Sequence, residues 1–237
     1  MKTLLLKFSG PLQSWGTKSH FETRMTDSLP SKSAVIGLVA AALGYRRDED
    51  EKINKLNSLD FAVRIDQPGS LLKDYQIVHG KQNYVTNRYY LEDAVYVAAL
   101  SSTEPGTVEN IEKALRHPYF QSSLGRRSAV PTYDFILGTV EEEPVAALQN
   151  CEWQASKWYK EKQRETVHLE IFADSYLLDG ETADKRQDRV LSFSQKSREF
   201  GFRYEKRKVI EVRNQMNISN DSDVSEYLTE HDAFALI

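Results

Sequence analysis

Sulfur is almost absent from this sequence. One cysteine, Cys151, in 237 residues excludes an internal disulfide and any zinc site built from several thiolates. Histidine is nearly as sparse. His20, His79, His117, His168 and His231 lie far apart with no His-x3-His pair, so neither a metal centre nor a bound cofactor is expected. Long apolar runs are missing too: the longest, Ala34 to Leu43, is about half of the roughly 20 residues that span a bilayer. The leucines ahead of Lys7 fall far short of the roughly 7–15 apolar residues of a secretion signal. The chain therefore reads as soluble and cytoplasmic, without membrane contact. There is no internal repeat, no low-complexity tract and no Gly-x-Ser-x-Gly hydrolase elbow.

A strong charge of one sign is also lacking. Lys and Arg number 31 against 35 Asp and Glu, and a formal charge of −4 argues, taken whole, against a nucleic-acid binder. The distribution argues otherwise. Residues 1–47 carry seven basic and two acidic side chains, and residues 191–213 carry seven and three. Residues 48–60, 138–190 and 214–237 are acidic, the last with five acids and no Lys or Arg. Two basic blocks set between acidic ones suit either a localised anion-binding groove or chance clustering on solvated faces.

What is present is a mixed α+β pattern. Thr3–Phe8 reads as a buried strand stopped by Gly10-Pro11. A helix follows Pro30, with Ser31 or Ser33 as N-cap and Gly44 just past its end. Its interior is apolar on every side, so it packs on more than one face. Asp48–Asn57 reads as a short charged helix, and Phe61–Ile65 and Ala94–Leu100 as strands. Thr107–Arg116 reads as a helix capped by Thr107, Phe135–Val140 as a strand and Pro144–Asn150 as a short helix. This β-α-β-β-α-β order is that of a ferredoxin-like, RRM-like domain, placed at 1–140. A smaller β-rich part at 141–213 and an acidic extension at 214–237 follow.

Within the first part, residues 67–90 have few aliphatics, four tyrosines (75, 84, 89, 90), three cations (73, 81, 88) and one acid, Asp74. Such a stretch is expected to be a long irregular arm. Aromatics interleaved with cations suit unpaired bases and phosphates, and tyrosine-rich surface suits a protein partner equally well. The loop Gly10–Lys18 fails the Walker A spacing. It reads either as a backbone opened for close approach of a ligand or as a structural turn with Trp15 in the core. Ser31-Lys32-Ser33 at a helix start offers N–H groups, hydroxyls and an ammonium to a phosphate. Leu124–Ser128 offers two arginine forks on a tight turn.

Leu4-Leu5-Leu6-Lys7-Phe8-Ser9-Gly10-Pro11-Leu12-Gln13-Ser14-Trp15-Gly16 resembles the opening of CasD proteins, the 5′-handle-binding subunits of the type I-E CRISPR surveillance complex Cascade. Pro30–Gly44, Lys73-Asp74-Tyr75, Tyr119–Ser128 with Leu-Gly-Arg-Arg-Ser, and Arg198–Val209 resemble further family segments in order. The resemblance spans about residues 1–210, and the acidic end departs from it. It implies a non-catalytic RAMP-type subunit that caps one end of the complex and hooks the 5′ handle of the crRNA, its arm kinking the strand. Partners would be a CasC-type backbone subunit and a CasA-type large subunit, with target DNA met through the complex. The RNA contacts expected are Gln13, Trp15, Lys18, Ser31, Lys32, Ser33, Tyr75, His79, Arg88, Arg126 and Arg127. The type I-C relatives cut precursor crRNA without metal, using a tyrosine, a lysine and a histidine. Here Tyr45, Arg116 and His117 would be the counterparts, with arginine in place of the lysine.

Overall fold

The computed structural model describes residues 1–16, 23–80, 83–180 and 182–217. Lys18 and residues 218–237 of the acidic extension lie outside them. In chain order the described elements are β1 (Lys2–Ser9), β2 (Leu12–Gln13), β3 (Thr23–Arg24), α1 (Lys32–Ala42), α2 (Asp50–Lys55), β4 (Asp60–Gln67), β5 (Ser70–Val78), β6 (Tyr84–Glu92) and β7 (Val95–Ser102). Then come α3 (Thr107–Arg116), β8 (Ile136–Val140), α4 (Pro144–Asn150), α5 (Lys157–Lys160), β9 (Thr166–Asp174), β10 (Asp184–Ser192) and β11 (Glu199–Arg213).

One antiparallel sheet of seven strands, in the order β10-β11-β9-β4-β7-β1-β8, runs through the molecule. Its segment β4-β7-β1-β8 has the ferredoxin-like order, with α1 and α3 as the two helical connections. The strands after residue 141 continue the sheet beyond β4. Alternation along the strands explains the leucine run of β1. Leu4, Leu6 and Phe8 face the core beneath α1 and α3, while Leu5 faces a second core beneath α4. Both faces are buried, so each such side chain contributes about 2 kcal/mol of transfer free energy.

A buried arginine ties α4 to the sheet. Arg64 on β4 is fully buried, pairs with Asp66 at 2.6 Å, and donates to the carbonyls of Leu148, Cys151 and Glu152. Leu148 lies in the last turn of α4, Cys151 is its C-cap and Glu152 follows it, so helical bonding leaves these carbonyls without a donor. Trp153 Nε1 donates to Asp66 O at 2.7 Å. No described helix is long and apolar enough to cross a membrane.

Three expectations change. The arm is a regular antiparallel hairpin, β5 and β6 joined in register from Ser70↔Glu92 to Val78↔Tyr84, not an irregular segment. Backbone pairing forms it without a buried apolar face on β5, and β2 and the parallel β3 add to β6 to make a second sheet. Gly106, at φ 81°, caps α3 instead of Thr107, which is already helical. The short charged helix ends at Lys55 and tightens into a 3-10 turn, Leu56–Ser58.

Candidate nucleic-acid interface

A groove of about 1190 Å³ opens over one side of α1. Ala34, Gly37 and Ala41, spaced three and four apart, form its floor, where small side chains leave room. A Cβ at Gly37 would lie 3.4 Å from the Phe193 ring, which closes one flank together with Phe200. The opposite wall is the loop Ser14–Gly16 and the segment Phe120–Arg127.

Backbone contacts hold these walls. Ser14 N donates to Leu124 O at 3.1 Å, and Leu124 N to Ala129 O at 2.7 Å. Gly125 makes the turn at φ 83°, and a Cβ there would lie 1.6 Å from Ser14 O, so only glycine fits. Tyr119 N and Phe120 N donate to Ala42 O and Ala41 O at 3.0 and 3.2 Å, so the wall also caps the α1 C-terminus.

Charge in the groove is of one sign. Arg24, Arg46, Arg47, Arg126, Arg127 and Arg198 line it, and among the described residues no aspartate, glutamate or lysine does. Burial, aided by the charge of Arg47, pushes the Arg198 pKa below its ordinary value. Burial likewise lowers Arg126, against the opposing pull of Tyr90, and Arg24 and Arg88 lower it further. Arg198 also lies over the Phe200 ring, 5.4 Å from its centroid. Guanidinium forks and exposed ring faces without a competing carboxylate suit phosphates and unpaired bases.

The residues singled out in the sequence divide. Arg126 and Arg127 line the groove, as do Ser31 and Ser33, both buried, at its α1 end. Gln13 and Trp15 are buried, and Trp15 still lines the groove between Ser14 and Gly16. The Gln13 amide donates to Ala94 O at 2.7 Å and its Oε1 accepts from Trp15 Nε1 at 3.1 Å, so the pair props the loop from below. In the described part of the loop, residues 10–16, Trp15 sits in the core as the structural-turn reading has it, and Ser14, Trp15 and Gly16 line the groove as the open-backbone reading has it. Lys32 is equally withdrawn, its Nζ on Asp174 at 2.8 Å in a buried pair.

The α1 start is not an open anion site, because the chain supplies its own anion. Asp188 Oδ2 accepts from Lys32 N at 2.8 Å and Ser31 caps Ala34 N. Asp188 also binds Arg203, which reaches Asp174 and Glu205. Tyr75 and His79 stand exposed on the arm, Tyr75 at 67%. His79 Nδ1 lies 3.1 Å from Asn83 Oδ1, and Arg88 is half-buried at the arm's root.

Sequence reading missed Arg24, Arg46, Arg47 and Arg198. Arg46-Arg47 after Gly44 was a visible signal, since a cation pair just past the end of a buried helix is turned out to solvent. Tyr45 lines the groove, whereas Arg116 and His117 line a separate depression of about 270 Å³ with Glu109, Glu112 and Lys113. Arg116 is held there by Glu112 at 2.6 Å.

A ferredoxin-like sheet extended by further strands, a hairpin arm at its root and an arginine-lined groove define a RAMP-type protein. The profile of the family described as CRISPR-associated protein (Cas_Cas5) matches residues 3–205, and the chain belongs to that family. It is 34% identical over 192 residues to the CRISPR system Cascade subunit CasD of Escherichia coli (strain K12), covering 72% of this chain and 86% of that protein. Among solved structures it resembles a chain of a CRISPR RNA-guided surveillance complex, with a TM-score of 0.75 and 30% identity over 93% of this chain and 95% of that one. It also resembles a structure titled "Crystal structure of Cas protein", with a TM-score of 0.66 and 31% identity over 91% of this chain and 97% of that one.

Proposed function

We propose that the chain is a non-catalytic subunit of a Cascade-type surveillance complex that holds the 5′ handle of the crRNA in the arginine groove and caps one end of the assembly. The observation that carries this reading is the set of six groove arginines with no acid beside them among the described residues. Such a surface attracts a polyanion and repels nothing in it. Membership of the CRISPR-associated family supplies the RNA, and the arm beside the groove supplies a lever against the strand. A CasC-type subunit and a CasA-type subunit are the neighbours this reading requires, with target DNA engaged through the complex.

The same geometry supports the non-catalytic reading. Tyr45 lies in the groove but Arg116 and His117 do not, so a phenol, a cation and an imidazole do not converge on one phosphodiester.

Arg46 and Arg47 are exposed, so their replacement tests the groove without disturbing the core. Arg46→Ala/Arg47→Ala should weaken binding of a single-stranded handle RNA. Each lost phosphate contact should reduce the slope of log affinity against log salt by about 0.7. An unchanged slope refutes the groove assignment. Incubation of the chain with precursor repeat RNA in EDTA should leave the RNA intact, and site-specific cutting abolished by His117→Ala would establish the endonuclease reading instead.

A further inference from the structure

Three guanidinium groups meet at the root of the arm. Arg24 on β3 and Arg88 on β6 are register partners in a parallel pair, which puts their side chains on one face. Tyr90, two residues beyond Arg88 on the same strand, shares that face. The Arg126 guanidinium lies over the Tyr90 ring, 4.3 Å from its centroid, and donates to Arg24 O at 3.0 Å and Tyr89 O at 3.3 Å. Three elements distant in sequence thus deliver like charges to one place.

No ion pair joins any of the three to a described carboxylate. The cross-strand partner of Arg88 is Asp74, but Asp74 accepts from Gln76 Nε2 at 3.1 Å and forms no ion pair with Arg88. Arg88 Nε is buried with no hydrogen-bond partner at all. A buried guanidinium donor left unsatisfied is costly, and a charged one more so. The arrangement is completed by an anion. Arg24 and Arg126 line the groove and Arg88 stands just beyond it, so the anion lies where the groove meets the arm.

We propose that Arg24, Arg88 and Arg126 clamp a single phosphodiester of the bound strand, and that this phosphate fixes the arm against the groove wall. The proposal rests on the RNA reading of the groove and adds to it a position and a coupling. A phosphodiester fits because its two non-bridging oxygens share one negative charge and accept from several forks at once. Without it the three cations repel one another across β3, β6 and the 124–128 turn. With it they are bridged, so arm position and strand occupancy become linked.

The test is a substitution scan along the RNA. A handle-length single strand is prepared with one neutral methylphosphonate at each linkage in turn, and each is bound to the full chain and to Arg88→Gln. With the wild-type chain one linkage should cost about ten- to a hundredfold in affinity. With Arg88→Gln that same linkage should cost almost nothing while the other linkages keep their effects, and Arg88→Lys should restore part of the sensitivity. Without RNA, Arg88→Gln should melt at or above the wild-type temperature, because one of three crowded charges is gone. Binding with identical scans for the two proteins overturns the clamp, as does a lowered melting temperature with an unchanged scan. Absence of RNA binding by the wild-type chain overturns the groove reading itself.

Discussion

At the scale of single residues, the site depends on positions that never touch a ligand. Gly125 is the sharpest case, since a Cβ there would overlap Ser14 O. Gly125→Ala should cost at least about 1–3 kcal/mol from the left-handed backbone alone and push the two walls apart, read as a lower melting temperature together with weaker RNA binding. Arg64→Met should cost about 3–5 kcal/mol in a denaturant titration, because Asp66 stays behind as a buried unpaired charge and the carbonyls of Leu148, Cys151 and Glu152 at the α4 end lose their donor. Gln13 and Trp15 show the limit of reading residue types. An amide and an indole beside two glycines describe a ligand loop and a buried prop equally well. The difference is made by Ala94 O, which lies 81 residues away. Lys32 teaches the same lesson with charge. The sequence pattern announces an anion at the helix start, and the anion is Asp188, 156 residues downstream.

At the scale of elements, the strands and helices that fill the core were legible because burial imposes a period. β1, α1, β4, β7, α3 and β8 all answer to apolar spacing, and their order predicted the ferredoxin-like sheet. The arm did not answer to it, because neither face of β5 is buried. Leu71, Tyr75 and Ile77 alternate with polar residues yet remain exposed. Its pairing energy is in the ladder and in cross-strand contacts, which a one-dimensional pattern does not display. Because Tyr75 supports no core, Tyr75→Ser should leave the melting temperature within the equivalent of about 0.5 kcal/mol. If its ring stacks on a base, the same change should weaken RNA binding by about fivefold or more. A fall in stability without a change in affinity would mark the ring as structural.

At the scale of the whole molecule, the formal charge of −4 conceals basic and acidic groups that, among the described residues, lie apart. Folding separates them: Arg24, Arg46 and Arg47 from the first basic block and Arg198 from the second converge on one groove, joined by Arg126 and Arg127 from a neutral stretch. Block counting foresaw a concentrated positive surface but not its members, because Arg203 of the second block is spent internally on Asp174, Asp188 and Glu205. The make-up of the groove has a chemical corollary. Guanidinium keeps its proton across the whole range in which proteins stay folded, whereas an amine gives its proton up and acylates readily. Under the proposed function, a lining of arginines with no lysine among the described residues therefore makes the grip on RNA indifferent to alkalinity between about pH 6 and 10. The same lining leaves it blind to acetylating reagents that would cripple a lysine-built cleft, so a chain exhaustively acetylated on its amines should still bind its strand.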